Sequence, residues 1–435
     1  MPIQPSVYRL NDSPAPPQDI LQMVLADYER LAVDDSIRDL TEFIRDRYEI
    51  DLTTEYSGLP IANPWGKASG QLSMTAGQVQ EDVEAGLGFV ILKTVIAQDE
   101  QGERTMQAWA IKEARMSLEP IVGHTGEAGW TISWKGRGWW GTFDEYLALI
   151  REARRHSADG VSRRGMSSGI PTLIVPSVKY HLPTPEETEW RVGEYLWTTR
   201  EILKAWHATE SSQREPMPIE KDFSPTLAGS DRAAVQQKIL EWLRTVPQLI
   251  RSAVEETPEH HNTSDSIRVG MKMFNALFDD EFQIDMLNEI HRAEVISRPD
   301  YFIYGNRLFD PHREFDGHQG IAYGGPDLSH RNLRVLDRFR EQTMPALSSG
   351  RVRRLMLPLS ATGNIHSGRM ALEYALRGAS SFQLHTFFQH LSDFYRKKTG
   401  NRTQKALHEL YFHPAEGLIV WLYHLAERLG LPRKP

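Results

Sequence analysis

The feature that most constrains this chain is an alternation repeated eight times, in which short β-rich apolar runs are separated by longer segments with helical periodicity. The runs lie at residues 60–69, 88–94, 171–178, 217–224, 267–273, 300–305, 355–361 and 381–385. Helical patterns fall between them at 75–85, 143–154, 185–207, 231–254, 278–294, 333–342 and 368–376. Alternation of this kind makes parallel strands joined by right-handed crossovers, and eight strands close most readily into a (β/α)8 barrel. An open doubly wound sheet is the competing arrangement, but the glycine fingerprint of dinucleotide-binding sheets is missing.

At 435 residues the chain exceeds the roughly 250 typical of such a barrel, so additional elements are expected. Residues 1–56 read as an N-terminal helical extension with amphipathic patterns at 19–32 and 35–48, a cover or a homodimer contact. The barrel is expected over 57–400 and a C-terminal helical extension over 401–435. Long connections at 95–141 and 307–332 follow strands two and six and so fall on the catalytic face. The first sets Trp130, Trp134, Trp139 and Trp140 among Gly136, Gly138 and Gly141. Two readings fit: an aromatic lid over a planar ligand, or a satellite core beneath a long loop.

Composition excludes several classes of function. The net charge of −8 comes without a basic block, which argues against a nucleic-acid partner. No apolar stretch approaches the roughly 18 residues of a membrane span, and no secretory pattern opens the chain, so a cytoplasmic protein is expected. With no cysteine, this chain forms no disulfide, thiolate nucleophile, zinc–thiolate site or iron–sulfur cluster. The histidines at His260-His261 and the group His312, Glu314, Asp316 and His318 match no metal-ligand spacing, so no metal is expected.

Residues 356–388, MLPLSATGNIHSGRMALEYALRGASSFQLHTFF, are the most specific stretch. An apolar run stops at Ala361-Thr362-Gly363, a helix opens near Ser367 and closes at Gly378, and a second run stops at His385-Thr386. In the last two units of a barrel, such turns offer backbone N–H groups and a helix N-terminus to a phosphate.

At the barrel's start the chain reads NPWGKASG (63–70) and then GFVILKT (88–94). With GGPDL (324–328) and the ATGNI–HT segment, this resembles the dihydroorotate dehydrogenase family of FMN enzymes over about residues 57–400. The resemblance implies a flavin lined by Ala68, Ser69 and Gly70, with Lys93 and Thr94 beside its reactive edge and Lys93 also catalytic. It implies Lys272 on strand five as counter-charge to the reduced ring, with Gly325, Gly363, Asn364, His385 and Thr386 on the ribityl phosphate. Asn364 and His385 stand where the family usually has glycine. In PIEKDFSPT (218–226) the family's catalytic base falls on Ser224.

The asparagines that grip orotate in the family are mostly absent. Those flanking the base become Lys221 and Thr226, the loop asparagines become SWKGRGWWG (133–141) beginning at Ser133, and the strand-six Asn-Ser becomes Phe302-Ile303. Lys221, Lys135 and Arg137 hint at an anionic small-molecule substrate. The resemblance therefore implies an FMN-dependent oxidoreductase acting on a C–C or C=C bond next to a carbonyl, on a substrate other than orotate. A genuine dihydroorotate or dihydropyrimidine dehydrogenase is one alternative. A catalytically inactive flavin-binding barrel serving in a complex is another.

Overall fold

A computed structural model describes residues 7–10, 13–37, 39–110, 115–135, 138–164, 169–208, 215–223, 232–255, 266–275, 279–315, 317–348 and 356–431. Its centre is a ring of parallel strands. In chain order these are Trp65–Lys67, Phe89–Ile91 continued by Val95–Ile96, and Leu173–Val175 continued by Ser177–Lys179. Met217–Asp222, Ile267–Phe274, Tyr301–Asn306, Leu359–Thr362 and Ala379–Leu384 complete it. Each strand pairs with the next, and strand eight pairs with strand one in the register Phe382↔Trp65, so the sheet closes. The chain has the expected (β/α)8 barrel.

The strands are buried on both faces, covered by helices outside and by packed side chains within, and most of their residues are apolar. Val90, Val175, Ile219, Val269, Met271 and Ile303 are all fully buried. The crossover helices are Ala76–Glu84, Phe143–Arg164, Val192–His207, Arg232–Glu255, Asp280–Arg292, Pro326–Ser348 and Gly368–Ala375. Helix Arg402–Phe412, expected as part of a C-terminal extension, is the helix that follows strand eight. Its Tyr411 meets strand-one Trp65 edge-on at 6.1 Å. The helices Gln18–Leu31 and Leu40–Tyr48 share the same core, Tyr28 stacking on His408 at 4.8 Å.

Two departures from the expected strand pattern matter for the site. The run at 60–69 is two elements: Leu59–Ile61 pairs back on Thr54–Tyr56, and Trp65–Lys67 enters the barrel. Asn63-Pro64 makes the break, Asn63 accepting from Trp65 N–H (3.2 Å) and donating to Gly86 O (2.8 Å). Tyr56 of this hairpin reaches into the barrel, against Phe89 and Tyr301.

Both long connections fold as antiparallel hairpins, Arg115–Val122 with Ala128–Lys135 and Leu308–Phe315 with His318–Tyr323. Arg307 joins them by donating to Ile132 O (2.7 Å) and Ala322 O (3.0 Å), and Gly324 N–H donates to Thr131 Oγ1 (2.8 Å). The tryptophan segment divides between its two readings. Trp139 is buried against Tyr146, whereas Trp130 is partly exposed beside the cavity, edge-on to His390 at 5.0 Å.

Candidate active site

The carboxyl ends of the strands and the two hairpins enclose a cavity of about 450 Å³, a size that suits a cofactor or substrate. All the residues expected to hold a cofactor line it: Ala68, Ser69, Gly70, Lys93, Thr94, Lys272, Gly325, Gly363, Asn364, His385 and Thr386. Five strand-end turns and strand five contribute them, so the convergence is a property of the closed barrel rather than of any one motif.

On the strand-one side, the backbone passes close beneath His385. A Cβ on Gly70 would lie 2.1 Å from the His385 ring, which is why a glycine is needed there. Burial pushes the His385 imidazole well below its ordinary value, and the cations Arg307, Lys93, Lys67 and Lys272 push it the same way, so the ring is neutral. A hydroxyl chain runs from Ser69 Oγ to Thr94 Oγ1 (2.9 Å) and on to Ser177 Oγ (2.9 Å), locking strands one, two and three together.

Lys93 ends the apolar run of strand two. Its side chain is buried, and among the described residues its ammonium has no hydrogen-bond or ion-pair partner. Burial lowers its pKa to about 8, opposed by Asp222 and reinforced by Lys179 and Arg307. Lys272, across the barrel, donates to Gln383 Oε1 (3.1 Å) and lies 3.9 Å from Glu220 Oε2. Glu220 is completely buried and accepts from Tyr56 and Gln383. Burial raises its pKa, with Lys272, Tyr56 and Gln383 pulling the other way.

The glycine turns after strands six and seven form another part of the cavity wall. Gly325 (φ +97°) and Gly363 (φ +106°) adopt backbone that side chains rarely reach, and a Cβ on either would strike Ile121 or Asn332. Asn364 has φ +54°, in the left-handed region that asparagine tolerates better than most residues. Asparagine can therefore close this turn without the strain that most side chains would carry there. Asn332, fully buried, holds these turns in place by donating to Gly305 O and Thr362 O (3.1 Å each).

The expected substrate residues are dispersed. Lys221 does not line the cavity: its ammonium donates to Asp222 O (2.7 Å) and lies over Phe223, 4.6 Å from the ring centroid. Ser133 donates to Glu119 on the hairpin face away from the cavity, opposite to Trp130 and Ile132. Ser224 and Thr226 lie outside the described residues, as do Arg137, His260, His261 and Asp316. Phe302 and Ile303 are buried in the barrel wall. Strand six meets the cavity instead at Gly305-Asn306, two to three residues beyond the expected position.

Residues not anticipated also line the cavity, among them Lys179, Asp222, Trp109, Asn306, Arg307 and Gln383. Lys179 carried the same signal as Lys93, a lysine closing an apolar strand. No group of three potential metal ligands occurs among the described residues. No helix among them is long and apolar enough to cross a membrane.

No family model and no curated protein matches the chain. Solved structures do. Ligand-free DHODH (dihydroorotate dehydrogenase) from Eimeria tenella aligns with a TM-score of 0.56 at 14% identity, covering 95% of this chain and 96% of that one. DHODH from the same organism in complex with ferulenol aligns at 14% identity over 87% and 88%, with a TM-score of 0.49. This chain has the dihydroorotate dehydrogenase-like (β/α)8 fold.

Proposed function

We propose that the cavity binds FMN and that the protein is an FMN-dependent oxidoreductase acting on a C–C or C=C bond next to a carbonyl. The observation that carries this reading is the convergence of small residues, two buried lysines and glycine turns on one cavity. Small residues at Ala68-Ser69-Gly70 leave room for a flat ring, and the turns at Gly325, Gly363 and His385 suit a phosphate. The donor set fits the cofactor. FMN bound there supplies the hydride acceptor or donor.

The chain's own groups then divide the remaining work. Lys272 sets positive charge where reduced flavin is negative, in a site too dry to supply it from solvent. Ser224 takes or returns the substrate proton, through a relay that compensates for the weak basicity of a hydroxyl. Lys93, with a pKa near 8, is poised for proton exchange near neutral pH. The hairpins carry apolar side chains over the cavity and exclude water.

The substrate is proposed to differ from orotate. Asn306 and Asn364 are the asparagines that line the cavity among the described residues, and Asn364 belongs to the phosphate end. A site built around several amide clamps rejects misfits strongly, and here the clamps are replaced by Lys179, Asp222 and aromatic rings. Dihydroorotate is therefore expected to reduce the bound flavin more slowly than about one per second, below the ordinary range of enzyme turnover. Stopped-flow reduction at or above that rate would restore the pyrimidine reading.

A further inference from the structure

Behind the cavity wall, the barrel interior holds a carboxylate with one oxygen unused. Glu220, on strand four, is 0% exposed and does not itself line the cavity. Its Oε1 accepts two hydrogen bonds, from the Tyr56 hydroxyl and from the Gln383 amide. Its Oε2 has no hydrogen-bond partner among the described residues, and the Lys272 ammonium stands 3.9 Å away. Lys272 gives its hydrogen bond to Gln383 Oε1 instead (3.1 Å). Lys272 and Gln383 both line the cavity, so Glu220 is joined to it through them.

The surroundings hold Glu220 near the balance between its two forms. Burial raises its pKa, Asp222 adds to that, and Lys272 with the two donors on Oε1 pulls the other way. Although burial would raise Asp222 too, Lys179 and Lys272 hold it below the usual carboxylate value, so it is ionised. The other titratable groups nearby are phenols: Tyr56 of the N-terminal hairpin, Tyr301 of strand six and Tyr146 of the helix after strand two. Burial, with Glu220 adding to it, pushes all three upward, so they stay neutral and supply no compensating charge. Lys272 is the cation that offsets Glu220. A hydride delivered to a flavin in the cavity sets a second negative charge against the same ammonium. One ammonium cannot fully offset two buried anions, and a carboxylate beside a new like charge gains proton affinity.

We propose that Glu220 takes up one proton from solvent each time the flavin is reduced and releases it on reoxidation. Reduction then consumes two electrons and two protons. The hydride brings both electrons and one proton to the ring, and the second proton goes to Glu220 Oε2. Glu220 touches neither ring nor substrate. It is a positioning residue that, once neutral, leaves Lys272 to serve the reduced ring alone. The inference rests on the flavin reading. Its pH window follows from the sign of the effect, because reduction raises the pKa of Glu220. Below the value with oxidised flavin, Glu220 is protonated in both states. Above the value with reduced flavin, it is ionised in both. Uptake occurs between the two, and the lower limit already stands above the ordinary glutamate value.

The test is the midpoint potential of FMN-loaded protein, followed by dye-coupled redox titration between about pH 6 and 8. Each proton bound on reduction makes the equilibrium tenfold less favourable per pH unit, which is about 30 mV for a two-electron couple. Within the window, the wild-type potential should fall about 30 mV per pH unit more steeply than that of Glu220→Gln. Groups common to both proteins cancel in that difference, among them Lys93 with its pKa of about 8. Tyr56→Phe removes a donor that favours the ionised carboxylate, so it should keep the steep range and move it to higher pH. Phenylalanine preserves the ring contacts of Tyr56 with Phe89 and Tyr301, and this variant decides the matter should Glu220→Gln fail to fold. Equal slopes in wild type and Glu220→Gln, or a steep range that stays in place in Tyr56→Phe, would overturn the proton uptake while leaving the flavin reading intact. A wild-type protein that binds no FMN in a direct titration would overturn the flavin reading, and this inference with it.

Discussion

Ser224→Ala is expected to leave FMN bound while slowing single-turnover reaction with the true substrate by roughly 10²- to 10⁴-fold, the usual weight of general acid–base catalysis. The two effects separate because Ser224 is proposed to handle only the proton. The cofactor is proposed to rest on groups elsewhere in the ring: Ala68, Lys93, Lys272 and the glycine turns. Ser224→Cys should retain partial activity with a lower pH optimum, since a thiol ionises more readily than a hydroxyl. Flavin reduction or reoxidation followed across pH in the three proteins decides the matter. Equal rates in wild type and Ser224→Ala would place the proton elsewhere. Lys93 is then the next candidate if the rate rises as pH passes about 8, where its ammonium loses its proton.

The second large effect is expected at the buried pair formed by Lys272 and Glu220. Lys272→Met should weaken reduced flavin by about 10- to 100-fold relative to oxidised flavin, because it removes a charge-assisted contact from the anionic form alone. For a two-electron couple that corresponds to a fall in midpoint potential of about 30–60 mV. Glu220→Gln should move the potential upward. The substitution removes a carboxylate 3.9 Å from the lysine, while the amide oxygen can still accept from Tyr56 and Gln383. Opposite shifts in the two variants are the signature of this pair. An unchanged potential in Lys272→Met would mean that Lys272 does not face the flavin.

Much of the barrel could be read before any coordinates, because its strands are buried on both faces and appear as unbroken apolar runs such as Phe89–Ile91 and Leu173–Val175. Most helix starts were equally readable, although the helices expected from 185 and 333 begin at Val192 and Pro326. Ser367 accepts from Met370 N–H, and Thr75 with Gln78 forms a capping box. The hairpins over the cavity were not readable, since their strands alternate weakly and are half-exposed.

At the site, turns that demand unusual backbone were the most legible. Gly325, Gly363 and Asn364, expected on a cofactor phosphate, line the cavity. Side-chain direction was not legible. Along strand four, Glu220 points into the barrel and Asp222 reaches the cavity, so the period of two turns Lys221 away. The same parity puts Ser133 on the outer face of its hairpin. Motif alignment finds the right turn, but it misses the residues that face the cavity where the strand runs on further, as strand six does to Gly305-Asn306, two to three residues beyond the expected pair.

The measurement that bears most directly on the central claim is the visible spectrum of the purified protein, combined with FMN titration of the apoprotein. The account predicts a yellow protein carrying one noncovalent FMN per chain that bleaches with dithionite. It also predicts that apoprotein quenches added FMN fluorescence with one-to-one stoichiometry. A colourless protein that leaves the fluorescence of added FMN unchanged would contradict it.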